Sequence, residues 1–136
     1  VKTIKAIKVR IIYNSKLLWF FPRRIDGVTL GRTIHFRGEN VDRNLINHEL
    51  IHVCQFEDRG QELGGSRLSA IMSFLGHYLF PLNQKYRDKP EEREAYRHEH
   101  NPDYIVTRWP GYVLLIKDSP GGDTRSVGWY LNAVRR

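Results

Sequence analysis

The chain has 136 residues, 40% hydrophobic and 27% charged, with 22 Lys and Arg against 15 Asp and Glu for a net charge of +7. That length supports one hydrophobic core rather than two, the composition excludes collagen-like and disordered classes, and the longest apolar run, Leu17 to Phe21, is far below the ~18–20 residues that cross a bilayer. The single cysteine, Cys54, excludes an intramolecular disulfide and any zinc site of paired cysteines, and fits a reducing, cytoplasmic compartment.

Val1 to Arg10 alternates apolar residues with Lys, unlike the continuous apolar core of a leader. Excess positive charge attracts nucleic acid or acidic protein surfaces at long range. No Lys/Arg run exceeds two residues, however, and a solvated basic surface is the simpler reading.

Ile7, Val9, Ile11 and Tyr13 recur with period two against Lys8 and Arg10, which predicts a strand with one wet face, and Asn14–Ser15 supplies a turn. Leu17 to Phe21, ended by Pro22, reads as a second strand, and Ile34 and Phe36 alternate with polar neighbours in a third. From Val41 the period changes. Ile46, Leu50, Val53 and Cys54 share one side of a helix running to about Phe56, before Gly60, Gly64 and Gly65 break the chain. Leu68, Ile71, Met72, Leu75 and Leu79 form a second helical stripe between Ser66 and Pro81. Asp88, Lys89 and Pro90 open a third helix, with acidic residues at 91 and 92 suited to the positive end of its dipole, ending near Asn101–Pro102. Tyr112 to Lys117 reads as a strand, and residues 117–136 as a tail that the patterns do not place. Strands first and helices afterwards predict a single α+β domain with a mostly antiparallel N-terminal sheet.

The chemistry is concentrated in Asn47-His48-Glu49-Leu50-Ile51-His52. Histidines four residues apart on a helix lie on one face and can reach a single ion, while the intervening glutamate borders the pair as a general base for a metal-activated water. A catalytic zinc normally has three protein ligands and one open position. The motif variant that supplies its own third histidine fails here, because Gln55 stands where a glycine belongs and Asp58 stands at the ligand position. Pro90-Glu91-Glu92-Arg93-Glu94-Ala95-Tyr96 offers three glutamates instead, with small Ala95 permitting close helix approach.

These residues resemble the gluzincin group of zinc metallopeptidases, in which His-Glu-x-x-His on one helix is joined by a glutamate from a later helix, often the first residue of Glu-x-x-Ala-Asp. The resemblance covers roughly residues 28–98 and implies a small zincin-like fold. It implies one zinc held by His48, His52 and Glu92, with Glu49 as catalytic base and a peptide or protein as substrate. Tyr96 stands where the family has an aspartate that supports a ligand histidine, and Thr33 to Arg37 looks like its substrate-binding edge strand.

His98, His100, His77 and His35 read as surface, core or cleft-lining residues, Cys54 as a small hydrophobe, and Tyr78, Tyr86 and Tyr104 as equal possibilities for a phenolic donor to the reaction intermediate. The alternative function is a non-catalytic, basic zinc-containing module that binds nucleic acid or a protein partner, for which His98 or His100 would close the coordination as a fourth ligand. The C-terminal run from Tyr112 offers itself as a strand that occludes the substrate edge.

Overall fold

The computed structural model describes residues 4–62 and 89–118. The second helical stripe, with His77, Tyr78 and Tyr86, and the tail beyond residue 118 lie outside the described residues. The elements are β1 (Lys5–Ile12), a 3-10 helix (Lys16–Phe20), β2 (Gly27–Leu30), β3 (Thr33–Phe36), α1 (Arg43–Glu62), α2 (Pro90–His98), α3 (Tyr104–Arg108) and β4 (Tyr112–Asp118). They form a small α+β domain whose four strands are ordered β2-β3-β1-β4. No helix among the described residues is long and apolar enough to cross a membrane.

The expected mostly antiparallel sheet is corrected by the pairing. β1 runs parallel to both β3 and β4, and only β2–β3 is antiparallel. After β1 the chain turns at Asn14, whose φ of 52° suits an asparagine, and crosses to β2, so the hairpin return delivers β3 parallel to β1. The hairpin is closed by Gly31, whose φ of 66° supplies the positive value that such a two-residue loop favours at its first position.

The Leu17–Phe21 run is a correction too, because Lys16–Phe20 is a 3-10 turn with Ser15 Oγ accepting from Leu17 N. An uninterrupted apolar run is ambiguous between strand and helical turn. Only Leu18 is buried, whereas Trp19 and Phe20 are 75% and 87% exposed. The second strand is instead Gly27–Leu30, reached through a loop whose carbonyls at Pro22 and Ile25 accept from the Arg37 guanidinium at 3.0 and 2.8 Å.

α1 begins where Asp42 Oδ1 caps the amides of Asn44 and Leu45. Its apolar side, Ile46, Leu50, Val53 and Cys54, is buried with Ile7, Ile11, Ile34, Phe36, Ile105 and Leu114 in the main core, each such side chain contributing about 1.5–3 kcal/mol. Contrary to the expected stop near Phe56, the helix continues through Gly60. A glycine inside a helix costs about 1 kcal/mol, which is offset by three anchored side chains before it. Glu57 receives Lys5 Nζ at 2.7 Å and the Arg32 guanidinium, Asp58 accepts from Trp109 Nε1 at 2.7 Å and Tyr112 OH at 2.5 Å, and Arg59 meets Glu91 at 3.2 Å.

α2 ends at His98, short of Asn101–Pro102, and α3 is an addition that no pattern in the sequence marks. β4 adds to β1 with Leu114 fully buried, at the opposite end of the sheet from β2. Tyr112 to Ile116 is therefore paired with β1 at the other edge of the sheet and does not lie along β2.

Burial opposes the charge on Glu57, but hydrogen bonds from Arg32 and Lys5 outweigh it and hold the carboxyl below its usual 4.5. Because the folded value is the lower one, this stabilisation is present above about pH 4.5 and fades as pH falls through the folded value. Glu57→Gln should cost about 1–2 kcal/mol at pH 7, and urea melts of the two proteins should converge as pH is lowered below 4.5.

Candidate metal centre

One stripe of α1, formed by His48, His52, Gln55 and Arg59, faces α2 along its length. His48 Nε2 stands 3.2 Å from Glu92 Oε2 and His52 Nε2 stands 2.7 Å from Glu92 Oε1. Gln55 Nε2 donates to Glu94 Oε1 at 2.7 Å and to the Glu91 carbonyl at 3.1 Å. With Asn47 bonded to the far end of α2, the two helices run antiparallel. Ala95 is fully buried in α2, in keeping with its small size.

His48, His52 and Glu92 are all buried, and one ligand atom from each falls within 4.8 Å of the others. Nitrogens held tetrahedrally about 2.0–2.1 Å from one ion stand about 3.3–3.4 Å apart; the two Nε2 atoms here are 3.2 Å apart. The donor set of two imidazoles and a carboxylate also suits zinc. Among the described residues these three form the only such group.

The imidazole of His52 is oriented by its other nitrogen. Because Gln55 Nε2 points at two acceptors, its Oε1 faces His52 Nδ1, 2.7 Å away, and Nδ1 must donate. Nε2 is thereby the nitrogen available to a cation. Burial opposes a charged His52, yet its hydrogen bond and attraction to Glu92, helped by the Glu49 charge and by Gln55, raise its pKa to about 9. Burial likewise opposes ionised Glu92, and the two histidines hold its carboxyl far below the ordinary range.

Glu49 points toward the sheet. Its Oε2 accepts from Thr29 Oγ1 at 2.5 Å, and Gly27 leaves room beside it, since a Cβ there would meet Glu49 Oε1 at 3.2 Å and the Phe36 ring at 3.0 Å. The glutamate is therefore held against β2, one of the two outer strands of the sheet among the described residues. β3, containing Thr33 to Phe36, lies between β2 and β1 and is not an edge strand, which corrects the expected edge at Thr33 to Arg37.

The other residues that the sequence offers for chemistry separate cleanly in space. Asp58 is occupied by Trp109 and Tyr112. Glu91 pairs with Arg59, and Glu94 with Gln55, Tyr104 and Arg108. Tyr96, at the family's aspartate position, sets its ring edge-on to His48 with centroids 4.6 Å apart. His98 stacks on Tyr104 at 3.8 Å, His100 is exposed, and His35 Nδ1 meets Ser15 Oγ at 2.8 Å. Tyr104 donates to Glu94, and burial followed by that hydrogen bond raises its pKa to about 12. Cys54 is buried on the apolar side, where desolvation pushes its thiol up, consistent with a small hydrophobe. Gln55 stands out in the sequence only for replacing a glycine, although its position three residues after His52 places it on the ligand face. Glu99, whose Oε2 lies 3.5 Å from His48 Nδ1, carries no sequence signal.

Comparison with known proteins returns no matching family model, curated protein or solved structure. Glu92→Ala should abolish stoichiometric zinc uptake, whereas Asp58→Ala should retain it and melt earlier, having left the buried Trp109 donor unsatisfied at about 1–3 kcal/mol and the part-buried Tyr112 hydroxyl without its acceptor. Zinc titration against a chelator and thermal melts of both variants check this.

Proposed function

We propose that the protein is a zinc-dependent metallopeptidase of gluzincin type, a hydrolase that cleaves peptide bonds with water. The observation that carries this reading is the convergence of His48, His52 and Glu92 on one buried point, with Glu49 on the same helix turned toward β2, an edge strand among the described residues. A zinc ion held by those three ligands would lower the pKa of a water to about 7 and polarise the scissile carbonyl.

Glu49 would act as the base, taking a proton from the attacking water and returning it to the leaving amine. Its hydrogen bond from Thr29 fixes the carboxylate in position, and its burial keeps competing solvent from it. Among the described residues β2 is an edge strand of the sheet, and an extended peptide would add there next to Glu49. Gln55 and Glu92 orient His52 so that its Nε2 is turned to the point shared with His48 and Glu92, where these residues would hold the ion.

A closed, structural zinc site in a nucleic-acid- or protein-binding module would call for a fourth protein ligand. The positions of His98 against Tyr104 and of His100 in solvent weigh against that alternative.

Glu49→Gln keeps the shape of the side chain and deletes the base. It should retain one zinc per chain and lower the rate of peptide-library cleavage by about 10²–10⁴-fold. Cleavage at near wild-type rate by the zinc-loaded variant would assign the base to another residue, and an inactive zinc-loaded wild type would contradict the peptidase reading.

A further inference from the structure

The two imidazoles of the centre are supported differently. His52 Nδ1 has Gln55 Oε1 at 2.7 Å, whereas His48 Nδ1 is buried without a hydrogen bond. Among the described residues the carboxylate beside it is Glu99, whose Oε2 lies 3.5 Å away. Since His48 Nε2 is turned to the point shared with His52 and Glu92, a neutral, ligating His48 carries its proton on Nδ1 and needs an acceptor there.

Glu99 is placed for that role by its backbone. It follows the last residue of α2 in helical conformation, and the carbonyls of Glu99 and Asn101 both accept from Asn47 Nδ2, at 2.8 and 3.0 Å. Asn47 directly precedes His48, so α1 itself anchors the segment that carries the carboxylate. Tyr96 lies edge-on to the His48 ring and contributes packing where the resembled family has an aspartate.

We propose that Glu99 is the positioning residue of His48: on cation binding its carboxylate accepts the Nδ1 proton, fixing the tautomer and ring angle that present Nε2 to the metal. Supporting groups of this kind are worth about 10–100-fold in metal affinity. The assignment rests on the metal-centre reading, and the experiment separates the two.

Cobalt(II), a zinc surrogate with visible absorption, is titrated into the full chain as wild type, Glu99→Ala and Glu99→Gln. Glu99→Ala should bind about 10–100-fold more weakly, with an altered cobalt spectrum, and Glu99→Gln, which retains an acceptor, should recover part of the loss. In the proton NMR spectrum of the cobalt forms, Glu99→Ala should lose the His48 Nδ1–H signal to solvent exchange while that of His52, backed by Gln55, persists. Wild-type affinity and spectrum in Glu99→Ala would overturn the role of Glu99 alone. A loss of affinity matched by a large fall in the melting temperature of the metal-free variant would assign Glu99 to the fold and overturn it as well. A wild type that takes up no cobalt would overturn the metal centre itself.

Discussion

A carboxylate with no exposed surface, Glu92, sits between two buried histidines, and the arrangement of the helices depends on it. An ionised group in that position needs a positive partner. In the protein alone His52 provides it, which is why burial fails to keep that imidazole neutral. In the proposed zinc form the cation takes over the same role, and the proton is released. Either way a positive charge at one point joins α1 to α2, and the neighbouring contacts of Gln55, Arg59 and Asn47 continue that seam in both directions.

α1 is the element through which the rest of the domain is organised, because each of its sides has a different partner. Ile46, Leu50, Val53 and Cys54 enter the core beneath the sheet, His48 and His52 face α2, and Glu49 reaches Thr29 on β2. Glu57 and Asp58 tie down β1, the β2–β3 hairpin and the α3–β4 segment. The apolar side fixes the rotation of the helix about its axis, and that rotation alone places Glu49 toward the strand edge and the histidines toward α2. Function in this account is a by-product of core packing carried round the helix by its 3.6-residue period.

Whatever is local and periodic can be read from the chain. The spacing of His48 and His52, the Pro90-led helix, small Ala95 and the alternation of Ile7, Val9 and Ile11 each follow from one element's geometry, and the structure places them as expected. What depends on distant partners cannot be read. The parallel pairing of β1 with β3 and β4 is decided by crossovers, and β2 buries Gly27, Val28 and Thr29 in succession, so it has no inward–outward alternation to read. Trp19 and Phe20 have the composition of core and stand in solvent because Ser15 turns the chain before them. Glu99 lies beside His48 only because α2 ends next to Asn47, a tertiary fact that no spacing within either segment encodes.

Zinc K-edge X-ray absorption on the zinc-loaded protein measures the identity and number of ligands around the ion. One zinc per chain is expected, with about four nitrogen or oxygen neighbours near 2.0–2.1 Å, two of them imidazoles, and no sulfur. Three or more imidazoles, a sulfur ligand, or failure to load stoichiometric zinc would contradict it.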